Sequence, residues 1–387
     1  MESRSLRLAG LVVVAILGGC VSEPVESPSP TPTPTPSAAA SLRPVASTIA
    51  VADAVWTLAG LGNDRVSLQL SAVVAVSDGF VATGSRGQAG EQPAAFHSPD
   101  GATWTEEGIS ARNGSPDGLL AWGDRVLAIG DGETGRECAH PFAIDTWVRT
   151  ADATWTEAPF DPVFCDNGGR LVVQGDRAWL AGSVRDIPSL LETSDGLTWT
   201  RRTDRLGGLY PRDAAVDAAG LWVFASDLAG GSVALVSRDG TRFERRPIVT
   251  AAGQPADVLA AAVLGGEVVV IVTAGDAVGV LRPLADGGWS EVQAAGLPAR
   301  NIASIETLDG HLLALGSDDD GLPLAFASGD GTKWVPIPLP AEAGAGTTLN
   351  GVAVRNGVAV LVGQVPALDG SGAVGAVWTG PAALLEP

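Results

Sequence analysis

The chain has few of the residues that most catalytic centres and nucleic-acid interfaces rely on. Its 387 residues include one lysine, Lys333, one tyrosine, Tyr210, three histidines and three cysteines. His97, His140 and His311 lie far apart without metal-ligand spacing, so nothing in their pattern points to a metal centre. Asp318-Asp319-Asp320-Gly321 lacks the alternating ligands and terminal glutamate of an EF-hand, and reads as a solvated acidic turn. There is no G-x-S-x-G nucleophile elbow. Basic residues number 24 against 44 acidic ones, a formal net charge of −20, which repels nucleic acid and anionic headgroups. Neither a cofactor nor a metal is expected.

What is present begins with a leader. Arg4 and Arg7 precede an apolar run from Leu8 to Leu17 that is too short to span a bilayer, the pattern of a signal peptide over 1–19. The run ends Leu17-Gly18-Gly19-Cys20, which resembles the bacterial lipobox, and the resemblance implies that Cys20 carries the lipid anchor. Residues 20–48 are rich in Pro, Ser and Thr and cannot bury enough surface to offset their ordering entropy. Their alternating prolines favour polyproline II, a tether on the order of 80 Å at about 3.1 Å per residue. In an exported, oxidising compartment the two remaining cysteines, Cys138 and Cys165, are expected to pair. Such a bridge adds about 3 kcal/mol in the loop-entropy account.

Residues 49–387 carry a repeat. The phrase S-x-D-G-x-x-W recurs with its aromatic at Trp56, Trp104, Trp155, Trp199, Phe243, Trp289 and Trp334, steps of 44 to 51 residues. An apolar hairpin pattern precedes every copy but the one at Trp56, and a seventh follows the copy at Trp334; the turns are rich in Gly, Asp or Asn, such as Asp78-Gly79, Asp309-Gly310 and Asn356-Gly357. Hairpin, third strand, D-G turn and fourth strand make a four-stranded antiparallel unit, and radial repetition makes an all-β propeller. The last unit stops after its third strand, GAVGAVWTG, whereas the copy at Trp56 supplies a fourth strand with no hairpin before it. Seven blades are therefore predicted, the N-terminal strand closing the last, which leaves no open edge.

The phrase resembles the Asp box, or BNR repeat, of sialidases, Vps10-type receptors and photosystem assembly-factor propellers. That resemblance implies a turn in which Asp and Ser or Thr satisfy backbone amides while the aromatic packs between sheets. Asp100, Asp152, Asp195, Asp239, Asp286 and Asp330 then read as structural, with Trp104, Trp155, Trp199, Phe243, Trp289 and Trp334 as their packing partners. Here Gly follows Asp directly, whereas the usual sialidase spelling has one residue between them.

Function is expected on the opposite face, where the loops differ between blades. Arg65, Arg112, Arg212 and Arg300 each precede or open an inner strand, and Arg201, Arg202 and Tyr210 lie in the connection after Trp199. Arginine can hold carboxylate or phosphate bidentately, while Arg201, Arg202, Arg245 and Arg246 can equally decorate an outer strand and pair with Asp204 and Glu244. A sialidase needs an arginine triad and a tyrosine nucleophile, which that family takes from a late blade of six. Tyr210 stands at the third-to-fourth junction, and the Phe-Arg-Ile-Pro signature is missing. The expected role is a lipid-anchored, extracytoplasmic, noncatalytic binding or scaffold module for an envelope protein, peptide or glycan. A sialidase-type glycoside hydrolase and a purely structural envelope protein are the alternatives.

Overall fold

The computed structural model describes residues 56–59, 61, 68–87, 92–109, 114–131, 144–164, 170–184, 187–202, 206–227, 231–275, 277–298, 302–367 and 372–387. The leader, the tether and Cys20 lie outside the described residues, as do Cys138, Cys165, Arg65, Arg112 and Arg300.

The described strands form seven four-stranded antiparallel sheets. Six are continuous in sequence, spanning residues 68–107, 115–164, 170–201, 210–247, 257–293 and 302–336, numbered here as blades 1 to 6. Blade 7 combines Thr348–Arg355, Val358–Pro366 and Ala373–Pro381 with the N-terminal strand Thr57–Leu58. That strand pairs antiparallel with the third, Thr57 facing Thr379 and Leu58 facing Trp378. The protein is a seven-bladed β-propeller.

Local turn chemistry explains the hairpins. Asp309 and Gly310, like Asn356 and Gly357, both take positive φ, the mirror-image turn whose twist matches the strands it joins. Packing explains the ring. Consecutive residues of a strand point to opposite sides of the sheet, and here both sides are buried: Phe80 packs toward blade 7 and Val81 toward blade 2. In the same way Val223 joins the cluster with blade 3 and Phe224 the cluster with blade 5. Seven such apolar clusters, each between adjacent blades, close the circle.

Within each antiparallel blade, the first hairpin turn and the D-G turn fall on one face, and the other connections fall on the opposite face. Cross-blade bonds tie the turn face together: Arg125 donates to the Asp195 carbonyl, Gln174 to the Arg238 carbonyl and Arg282 to the Asp330 carbonyl. In the D-G turns, Asp100 Oδ1 accepts the amides of Ala102 and Thr103 at 2.9 and 3.0 Å, while Ser98 Oγ accepts that of Gly101 at 2.8 Å. Asp195 and Asp330 repeat this arrangement.

Five of the aromatics divide into two kinds. Trp104 and Trp334 donate Nε1–H to their own turn, at Gly101 O and Gly331 O, 2.9 Å each. In the weaker copies, Trp56, Trp155 and Trp289 reach instead to the preceding blade, at Pro338 O, Glu107 and Pro247 O.

One copy departs from the pattern at a strained position. Where Gly101, Gly196, Gly240, Gly287 and Gly331 take φ 66° to 87°, the copy at Trp155 holds Ala153 at φ 63°. A left-handed alanine costs about 1–2 kcal/mol, partly offset by the greater chain entropy that glycine would lose. Ala153→Gly is expected to raise unfolding free energy by about 1 kcal/mol, measured by urea denaturation. The same exchange in reverse, Gly240→Ala, would set a Cβ 2.2 Å from Trp179 Cζ2 and should destabilise.

Candidate functional site

The site grows from a defect repeated in the innermost strands. In six blades the register between first and second strand shifts by one residue, between Leu70 and Ala72, Pro116 and Gly118, Pro211 and Asp213, Val258 and Ala260, Ile302 and Ser304, and Leu349 and Gly351. A bulge re-aims the extra residue. Here the extra residues are Ser71, Asp117, Arg212, Leu259, Ala303 and Asn350, each at one level of its strand. Asp117, Arg212, Leu259 and Ala303 are exposed, although their strands are the innermost of each sheet. These four ring the channel toward the loop face, an acid, a base and two apolar groups, whereas Ser71 and Asn350 are partly buried and Asn350 donates to the Leu70 carbonyl of blade 1 at 2.6 Å.

The sequence marks these bulges, though not by any feature identified there as functional. Four of the six bulged hairpins carry glycine on the second strand at this level, Gly84, Gly130, Gly316 and Gly363, and a Cβ on Gly84 would stand 1.8 Å from Gln69 O. At Gly84, Gly130 and Gly363 the carbonyl of the first strand stands so close to the partner strand that a Cβ there would clash. Blades 4 and 5 hold Ala225 and Val272 there instead, opposite Pro211 and Val258. These are also the blades whose extra residues, Arg212 and Leu259, are large and exposed. The ring is therefore asymmetric, and its bulkiest side lies at blades 4 and 5, where Tyr210 is also exposed.

Below this ring sits a charged cluster. Four residues before the end of each inner strand stand Ala72, Gly118, Arg170, Asp213, Ala260, Ser304 and Gly351. The small residues leave room at the axis, and Arg170 uses it. Its Nε lies 3.4 Å from Asp213 of blade 4, and its terminal nitrogens lie 3.4 Å from both oxygens of Glu306, on blade 6. Burial opposes the charge on Arg170, but Glu306 and Asp213 raise its pKa. Burial pushes the Asp213 carboxyl up, against the pull of Arg170 and of the Ala261 and Ala214 amides.

Among the described residues, those singled out in the sequence lie on several elements. Arg212 donates to Ser226 Oγ at 3.1 Å and stands at the mouth with Tyr210. Arg201 lies on the outer strand of blade 3, and Arg202, just beyond it, pairs with Glu192. Arg246 pairs with Glu244 and lies over the Trp222 ring, and Arg245 approaches Asp227. Asp318 accepts amides of Asp320 and Leu322 in its own turn. Among the described residues no group of three or more His, Cys, Asp or Glu side chains is placed to hold a metal ion. Arg170, Asp213 and Glu306 were not anticipated.

The turn aspartates lie on the other face, and in Asp100, Asp152, Asp195, Asp239 and Asp330 the surroundings lower the pKa. In Asp330 the amides of Lys333 and Thr332 bring it from 3.8 to about 2, and Asp100 is lowered by those of Thr103 and Ala102. A depressed folded-state pKa stabilises above the unfolded value, and that contribution is lost as pH falls through the folded one. Melting temperature is therefore expected to drop between about pH 4 and pH 2, less steeply in Asp330→Asn.

No protein-family model matches the chain, and no curated protein matches it. Solved structures do. A virginiamycin B lyase from Staphylococcus aureus superposes with a TM-score of 0.57 at 10% identity, covering 83% of this chain and 99% of that one. A streptogramin B lyase gives 0.55 at 11%, covering 84% and 97%. The likeness is one of fold. Trypanosoma rangeli sialidase, at a TM-score of 0.44 and 11% identity over 85% of this chain and 60% of that one, supports no inference about chemistry.

Proposed function

We propose that this propeller is a noncatalytic binding module, held outside the cytoplasm by a lipidated Cys20 and its proline-rich tether, that receives a protein, peptide or glycan at the loop-face mouth of its channel. The observation that carries the reading is the bulge ring, which turns a side chain toward solvent at a common level in four blades, Asp117, Arg212, Leu259 and Ala303, and groups Tyr210, Arg212 and Leu259 on one side. Mixed polar and apolar groups around a concave opening suit recognition. Binding is favoured over turnover by the state of the nearby carboxylate. Both oxygens of Asp213 accept backbone amides at 2.7 Å, from Ala214 and Ala261, which commits it to holding blades 4 and 5 together.

The test is a screen of the detergent-purified full chain against glycan and peptide arrays. A ligand whose signal disappears in Arg212→Ala and Tyr210→Ala, but persists in Arg238→Ala on the turn face, is the expected result. Hydrolysis of a fluorogenic sialoside that Tyr210→Phe abolishes would overturn the reading in favour of a glycosidase. Binding lost only in Arg238→Ala would move the site to the wrong face.

A further inference from the structure

We infer that Arg170 is an oxyanion receptor inside the channel, kept occupied by Glu306 until a carboxylate or phosphate of a ligand takes the place of that internal anion. The inference rests on the mouth being a binding site and names the chemistry that its floor selects.

Three features of the cluster carry it. First, the two carboxylates around Arg170 differ in how firmly they are held. Asp213 is fixed by two backbone amides at 2.7 Å. The hydrogen bonds described for Glu306 are those it accepts from Arg170 itself. Glu306 is therefore the exchangeable partner.

Second, the contacts are long. Charge-assisted N–H···O bonds between guanidinium and carboxylate settle near 2.7–2.9 Å, whereas both bonds to Glu306 are 3.4 Å. By contrast Arg149 holds Glu107 at 2.7 and 2.8 Å. Glu306 comes from a strand in blade 6, and reaches Arg170 from two residues nearer the turn face than Ser304, a rise of about 7 Å. It spans the ring without closing on its partner.

Third, solvent reaches the pair, with 38% of the Arg170 side chain and 33% of the Glu306 side chain exposed. The pair is half-buried, and a partly exposed ion pair with long contacts is weaker than a buried one, so less is lost when Arg170 swings toward the loop face and accepts a new anion. A planar guanidinium then meets a carboxylate or phosphate bidentately. The displaced Glu306 stays in the channel with its charge, so the cluster gains one anion, and the ligand must offset that cost through its own contacts with Arg170 and the mouth. The internal carboxylate acts as a tethered competitor, at an effective concentration in the millimolar range, and sets a threshold that weak anions do not pass.

The experiment compares the full chain with Glu306→Gln and with Glu306→Gln/Arg170→Met, titrated with benzoate and with inorganic phosphate by calorimetry. Glu306→Gln is expected to bind at least one of them tenfold or more tighter than wild type, and the double variant to lose that gain. The two probes separate a carboxylate ligand from a phosphate ligand. Near-UV circular dichroism checks the fold. If the double variant is not native, Glu306→Gln/Arg170→Lys replaces it, and the probe that gained in Glu306→Gln is expected to bind it at least tenfold more weakly, from loss of the planar fork. Equal affinity in wild type and Glu306→Gln, or a gain that survives removal of Arg170, overturns the inference. Array ligands that still require Arg212 and Tyr210 would then leave the binding role standing and remove only the displacement.

Discussion

Glu107→Ala is expected to lower unfolding free energy by about 3–5 kcal/mol, the range for stripping one partner from a buried ion pair. Glu107 ends the outer strand of blade 1, and Arg149 ends the third strand of blade 2. Both side chains are nearly buried, at 11% and 5% exposure. The carboxylate takes both Arg149 bonds and also accepts Trp155 Nε1–H at 2.9 Å. Hydrogen bonding to Glu107 holds the guanidinium charged against the cost of burial. Removing the carboxylate leaves a buried cation and a buried indole N–H without it, and both costs fall on the joint between the two blades. Urea denaturation measures the change. Arg86→Ala, which breaks the more exposed pair with Glu106, serves as the control and should cost under about 1 kcal/mol. A loss for Glu107→Ala no larger than the control would contradict the joint's role.

Trp199→Ala is expected to cost about 3–5 kcal/mol by a different mechanism, loss of burial together with an unfilled cavity. Trp199 is 8% exposed and packs with Leu127, Val148, Leu180 and Leu191, so it fills the space between blades 2 and 3. Gly196, which opens the same turn, sits so close to blade 2 that a Cβ would lie 2.7 Å from Val148 Cγ2. The neighbouring turn thus cannot slide inward to fill the hole. Unfolding at a wild-type urea midpoint would show that the tryptophan is not the packing element of this blade pair.

These two substitutions mark how far the sequence could be read. Trp199 was legible because its turn is local: Thr193, Asp195, Gly196 and Trp199 lie within seven residues, and each bonds or packs where its chemistry suggests. Glu107 and Arg149 were not, because neither sign nor spacing tells a buried outer-strand carboxylate from a solvated one such as Glu106, its neighbour. The weaker copy at Trp155 held a clue. Its turn has Ala153 in place of glycine, and its indole bonds across to Glu107 rather than to its own turn.

The blade count and the way the ring closes were determined by the sequence by itself. Alternating apolar residues, turn-forming pairs and a unit missing its fourth strand are all short-range signals, and hydrogen bonding between neighbouring strands turns them directly into sheets. What the channel contains was decided by tertiary structure alone. Arg170 and Glu306 are 136 residues apart, and no local pattern says that two inner strands will face one another across an axis. Depth along each strand was equally hidden, because it depends on the one-residue bulges that bring Arg212, Leu259 and Asp117 to one level. Side-chain identity is a property of the chain, but convergence is a property of the closed ring.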